Sequence, residues 1–171
     1  AARKYGRNWR EKWFALCHTR LHSWGFNTIG NWSSREVEIL DRTPYTATLW
    51  VGGKALEGSP NYRGQFVDVF DPSFAAAVTA AIDNNKTAIG DPWCLGFYVD
   101  NELAWGNDVS LALASLASPA DQAAKKVFVA DLQAKYRDIA ELNAAWGANY
   151  ASWDALLAAR ETPNAQTAAD D

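Results

Sequence analysis

Asp91-Pro92-Trp93-Cys94-Leu95-Gly96-Phe97-Tyr98-Val99-Asp100-Asn101-Glu102-Leu103-Ala104-Trp105-Gly106 is the stretch whose reading decides the fold. An apolar run climbs from Trp93 to Val99 and ends abruptly in an acid, an amide and a second acid. The run is continuous rather than alternating, which is the pattern of a parallel strand buried on both faces. It predicts a strand over 93–101 that carries Asn101 and Glu102 at its carboxyl end, with Trp105 and Gly106 just beyond.

Working outward, Pro44 to Val51 is β-branched and aromatic and predicts a second strand. Phe26 to Gly30 predicts a shorter one, and Phe66 to Phe70 alternates like a strand before the helix-starting Asp71-Pro72-Ser73. Residues 8–24 predict a helix with Trp13, Cys17, Leu21 and Trp24 as its apolar stripe and Gly25 at its stop. Ser33 to Leu40 predicts a brief helical turn, and a helix begins at Ser73 and runs to about Asn84. After Glu102 the chain reads as helix: Ser110 to Leu116, a longer helix from about Ala120 to Trp146 capped by Ser118-Pro119-Ala120-Asp121, and Ser152 to Arg160. Helices alternating with strands imply an α/β fold with a parallel sheet. A complete (β/α)₈ barrel takes about 250 residues, so the expectation is a partial, truncated TIM-type (β/α) barrel. It would have extra helices after the Asn101-Glu102 strand, in one domain over 1–161 with a polar tail at 162–171.

Composition narrows the function classes. Hydrophobic residues make up 49% of the 171, enough for a real core and too many for a disordered chain. A net charge of -4 without a basic stripe argues against nucleic-acid binding by phosphate neutralisation. No apolar run is long enough to span a bilayer, so no membrane partner is expected. Methionine is absent, including at position 1, so residue 1 is not expected to be a native start. Cys17 and Cys94 fall on different elements and read as two free buried thiols. His18 and His22 sit four apart on a helix but lack the Glu and third ligand of a zinc site, so they are read as surface or helix-flank residues and no metal is expected.

The chain carries 9 tryptophans. An indole face stacks on the C–H face of a pyranose, so part of this surplus fits carbohydrate binding. Trp50, inside a strand, is read as core. Trp32 and Trp105, each following a strand end, are read as site residues. Barrel active sites lie at the carboxyl ends of the strands. A Glu there, partly desolvated, would have its pKa raised and could act as a general acid, while Asn101 could bind a sugar hydroxyl beside the reacting carbon. From spacing alone, a Glu that caps or pairs with the next helix is an equal alternative.

The motif Leu95 to Gly106 resembles the fourth-strand motif of clan A glycoside hydrolases, most closely the exo-β-agarase and β-galactosidase-like families. Three further blocks, Arg20 to Ser33, Phe66 to Phe74 and Glu141 to Gly147 with Tyr150 and Trp153, resemble the same enzymes in the same order. The resemblance implies hydrolysis of β-linked sugars with retention, Glu102 as acid/base and Asn101 as partner of the sugar 2-hydroxyl. Asn31 and Trp32 would line the pocket and Trp105 its rim. It implies a carbohydrate substrate, no cofactor, and an extracellular or periplasmic setting. The second catalytic Glu of these enzymes has no counterpart here. The standing alternative is therefore a carbohydrate-binding or catalytically silent fragment, unless Asp100, Asp68, Asp71 or Glu57 stands in. Open sheet edges in a partial barrel lead to the expectation of a homo-oligomer.

Overall fold

A computed structural model of the chain describes residues 1–61 and 64–163; most of the expected tail at 162–171 lies outside the described residues. The chain forms two compact units, residues 1–51 with 81–101 and residues 52–80 with 102–171.

The first unit opens with helices α1 (Ala2–Tyr5), α2 (Trp9–Ser23) and α3 (Arg35–Glu38), followed by strand β1 (Tyr45–Leu49). Helix α4 (Phe74–Asn84) enters this unit at its carboxyl end, and α5 (Lys86–Ile89) and strand β2 (Cys94–Val99) complete it. β1 and β2 pair in parallel, Tyr45 against Cys94 and Leu49 against Val99, with a register shift after Tyr45. The expected strand at Phe26–Gly30 shrinks to one parallel bridge from Ile29 to Tyr45. Ile29 donates to Pro44 O at 2.8 Å and Thr46 donates back to Ile29 O at 3.1 Å. The order Ile29–β1–β2 is therefore parallel throughout.

The core of this unit is Ile29, Tyr45, Ala47 and Ala88, with Leu21, Val37, Trp93 and Phe97 packed on it. Tyr45 is wholly buried and its phenol donates to Asp91 Oδ2 at 2.7 Å. β2 departs from its expected two-sided burial: Leu95, Tyr98 and Val99 are 62%, 56% and 63% exposed. A continuous apolar run signals a strand covered on both faces, whereas β1 pairs along one edge of β2 and covers neither face.

Helix α2 buries its expected stripe only in part: Leu21 packs on the core and Cys17 is half-buried. Trp13 and Trp24 are exposed, and the buried residue is His18. Val37 O can only accept, so His18 Nε2 carries a proton and donates to it at 3.0 Å. Nδ1 then accepts from Thr43 Oγ1 at 2.8 Å, and Thr43 in turn accepts from His22 Nε2 at 3.0 Å. This chain of bonds satisfies a buried imidazole in its neutral form. Burial pushes the His18 pKa below its ordinary value, against the opposing effect of the Val37 bond. Cys17 and Cys94 are free and half-buried.

The second unit contains the start of α4 and helices α6 (Ser110–Ala117), α7 (Ala123–Tyr136), α8 (Ile139–Trp146) and α9 (Trp153–Ala158). Leu116, Val129, Leu132, Leu142, Trp146 and Leu156 form its core. The long helix expected from Ala120 to Trp146 is broken. Arg137 turns left-handed at φ 62°, and Asp138 accepts from Ala140 N at 2.9 Å as the N-cap of α8. The motif Asp138-x-x-Glu141 is a helix-start signature inside an otherwise helical stretch. Gly147 ends α8 in the left-handed region, and Asn143 both donates to Tyr150 O and accepts from Tyr150 N at 2.8 Å, fixing the loop to α9.

The expected strand at Phe66–Phe70 is a single antiparallel bridge, Val67 to Ala55. Asp68 ends it: Phe70 N donates to the Asp68 carboxylate at 3.0 Å and Asp71 N to Asp68 O at 3.2 Å. A short acidic side chain that captures the backbone two residues on makes a turn where alternation alone suggests a strand.

Candidate active site

β1 and β2 end together. Asp100 N donates to Leu49 O at 2.8 Å, and Asp100 Oδ1 accepts from Val51 N at 2.8 Å. Asp100 thus ties the two strand ends, a structural use for its carboxylate. Asn101 and Glu102 follow and are exposed. Asp100 and Glu102 both adopt positive φ, 53° and 46°, on either side of Asn101. Non-glycine residues in that region are strained, and such strain concentrates at functional sites. The desolvation expected for Glu102 is not provided by the described residues.

The expected site residues divide between the units. Asn31, Trp32 and Asn101 belong to the first, Glu102 and Trp105 to the second. Trp105 is exposed and meets Phe66 edge-on at 5.0 Å between ring centroids. Beside it, Gly106 has φ 71°, and a Cβ there would fall 2.2 Å from Ser110 Oγ, so this turn requires glycine.

In the first unit, Asn31 and Trp32 line a cavity of about 340 Å³ together with Thr46, Thr48 and Trp50. Trp32 also has positive φ, 69°. Its indole lies 5.7 Å from that of Trp50 at a tilt of 50°, and both are more than half exposed. Thr48 Oγ1 donates to Asn31 Oδ1. Trp50 is thus not core. Period two sets Trp50 on the same side as Thr46 and Thr48, one residue past the end of β1 at Leu49.

The remaining candidate acids each have local partners. Asp68 is fully buried in the second unit and accepts from Gln122 Nε2 at 2.5 Å and Ala124 N at 3.0 Å. Asp71 accepts from Ser73 N and pairs with Lys54 at 3.6 Å; the Ser73 bonds hold its carboxyl below the usual range. Glu57 pairs with Arg160 at 3.6 Å. Among the described residues no group of three or more His, Cys, Asp or Glu is placed to hold a metal ion.

Comparison with known proteins places this architecture. No family model matches the chain. β-Agarase B of Vibrio sp. (strain JT0107) is 33% identical over 165 residues, covering 88% of this chain and 17% of that protein. β-Agarase A of the same strain is 34% identical over 169 residues, again 17% of its length. The chain is a partial relative of the β-agarases. Solved structures agree: PfGH50B superposes with a TM-score of 0.86 at 29% identity, over 97% of this chain and 25% of that one. The agarase AgWH50C gives 0.84 at 28% over 96% and 25%, and an exo-β-agarase gives 0.81 at 29% over 99% and 26%. The agarase-like chain therefore spans about a sixth of the curated relatives and a quarter of the solved ones.

Proposed function

We propose that the chain is part of an agarase-like glycoside hydrolase acting on β-linked sugars, β-galactoside or agarose-like in type. Its parallel Ile29–β1–β2 order corresponds to roughly the second to fourth strands of a (β/α) barrel. Glu102 is the general acid/base, protonating the leaving oxygen and later activating water. Asn101 binds the sugar 2-hydroxyl, where a hydrogen bond strengthens as the oxocarbenium-like transition state forms. Asn31 and Trp32 contact substrate and Trp105 borders it. The observation that carries this reading is the likeness to β-agarases combined with Asn101-Glu102 at the carboxyl end of a parallel strand.

Retention requires a second carboxylate about 5–5.5 Å from the first. The local partners of Asp68, Asp71, Asp100 and Glu57 favour the second reading, a carbohydrate-binding chain without its own nucleophile. Aryl β-galactosides and agaro-oligosaccharides distinguish the two. Glu102→Gln is expected to lower kcat by about 10²- to 10⁴-fold. Equal rates in both proteins would remove Glu102 from the mechanism, and two inert proteins that still bind sugar would establish the silent reading.

The exposed Leu95, Tyr98 and Val99 on β2 lead us to propose a homo-oligomer as well. Light scattering at micromolar concentration is expected to give a multiple of the 18.8 kDa chain mass, and a monomer would refute it.

A further inference from the structure

The first unit carries another cavity, about 320 Å³, whose lining includes Lys4 and Tyr5 of α1 and Trp9, Trp13 and Arg20 of α2. It shares no lining residue with the cavity of Trp32 and Trp50. Its volume lies within the range of small-molecule sites, roughly 300–1,000 Å³. The lining holds two cations and three aromatic rings and no carboxylate. Although the whole chain is acidic at -4, residues 1–24 hold six Lys and Arg against Glu11 alone. Lys12 Nζ donates to Tyr5 O at 3.1 Å and ties α1 to α2, so the two halves of the lining are joined.

Each lining cation sits over a ring. Lys4 Nζ is 5.3 Å from the Tyr5 centroid, and Arg20 Cζ is 5.2 Å from that of Trp13. Neither cation has an ion pair among the described residues. A ring face holds a cation in place without neutralising it. A guanidinium laid over an indole keeps the N–H groups at its edge, in a fork that matches the paired oxygens of an acid group. The Tyr5 and Trp13 rings are 6.4 Å apart and tilted by 58°, so they do not stack shut on each other. A small inorganic anion would use the cations and leave the rings bare. A neutral ligand would use the rings and leave the charges unmatched. A ligand that uses both has an acid group beside a flat apolar face. The proposed action on β-linked sugars favours a saccharide, whose pyranose C–H face packs on an indole.

We propose that α1 and α2 form an attachment site for an anionic saccharide, a pyranose bearing a sulfate or carboxylate group, with Arg20 and Lys4 on the acid group and Trp9 and Trp13 against the ring. The choice of a saccharide rests on the proposed action on sugars. The site itself uses neither Asn101 nor Glu102.

Titration calorimetry of the whole chain tests it, with a sulfated κ-carrageenan tetrasaccharide in one arm and tetragalacturonate in the other. At least one is expected to bind, more weakly as salt is added, and the arm that binds identifies the acid group. Arg20→Gln and Trp13→Ala are each expected to weaken binding at least about tenfold. Glu102→Gln is expected to bind as wild type, and neutral agarotetraose is not expected to displace the acidic ligand. Should Trp13→Ala not fold, Lys4→Gln, at an exposed position, is expected to weaken binding several-fold. Failure of both acidic ligands to bind, an unchanged Kd in the variants, or displacement by agarotetraose would overturn the proposal. So would capture of phosphatidylglycerol vesicles by a chain that binds neither oligosaccharide, which would make the basic face a lipid contact. None of these results touches the acid/base role of Glu102. Full hydrolytic activity in Glu102→Gln, with Arg20-dependent binding intact, would overturn that role and leave the attachment site standing.

Discussion

Replacing Asp68 by Ala is expected to destabilise the second unit by about 3–5 kcal/mol, among the larger single-residue effects this chain offers. The carboxylate is 1% exposed and serves three donors at once: Phe70 N at 3.0 Å, Gln122 Nε2 at 2.5 Å and Ala124 N at 3.0 Å. Hydrogen bonds to a charged group contribute about 1.5–3 kcal/mol each, and a buried donor left without a partner costs about 1–3 kcal/mol. Ala124 is in the first turn of α7, whose N-cap Gln122 makes no capping bond of its own. Asp68 therefore caps that helix from a distance and places a negative charge where the helix dipole favours one. Gln122 extends the network by donating to Ala55 O and accepting from Glu57 N, both at 3.3 Å. Asp68→Asn does not rescue it, because its NH₂ would face donors on at least one side. Urea unfolding followed by circular dichroism should show a lower midpoint with unchanged slope for both variants. A loss below about 1 kcal/mol in Asp68→Ala would mean that solvent or a rearranged Gln122 replaces the carboxylate.

That network marks the limit of what the sequence makes legible. The elements are local, so period and capping signals find them: β1, β2, α2, α4, α6 and α9 form close to their expected places. The cap expected for α7 at Ser118–Asp121 is also a local reading, whereas the carboxylate that caps it lies 54 residues from Gln122 along the chain. The same limit applies to Trp50. A tryptophan within a strand is ordinarily covered, and whether it is depends on what packs over it. The Asn101-Glu102 motif is legible because its chemistry is stated by adjacent residues at a strand end. The strain at Asp100 and Glu102 is not, since neither residue type requires a positive φ. His18 shows the converse: helical spacing places it beside the apolar stripe, but only the fold brings Thr43 and Val37 to its two nitrogens.

Gly58→Ala is the second large effect, for a reason unrelated to backbone freedom. A Cβ at Gly58 would lie 2.1 Å from Ala114 O, 3.0 Å from Ala114 C and 3.0 Å from Ala117 Cβ. The closest atom belongs to the backbone of α6, so no rotamer change can relieve the overlap. The loop and the helix must separate. Separation also stretches Gly58 N to Ser118 Oγ, 3.0 Å, and that hydroxyl already donates to Ala114 O at 2.9 Å. Adding one methyl to a packed interior costs about 1–3 kcal/mol where side chains can yield. With backbone opposing backbone and a hydrogen bond at risk, about 3 kcal/mol or more is expected. Gly52→Ala is the matched control, since nothing lies within 4 Å of a Cβ there. It should leave stability within about 0.5 kcal/mol or raise it slightly, because alanine narrows the unfolded ensemble. Equal melting temperatures for the two variants would show that the loop at Gly58 moves off α6 at little cost, and that close packing there does not hold the second unit together.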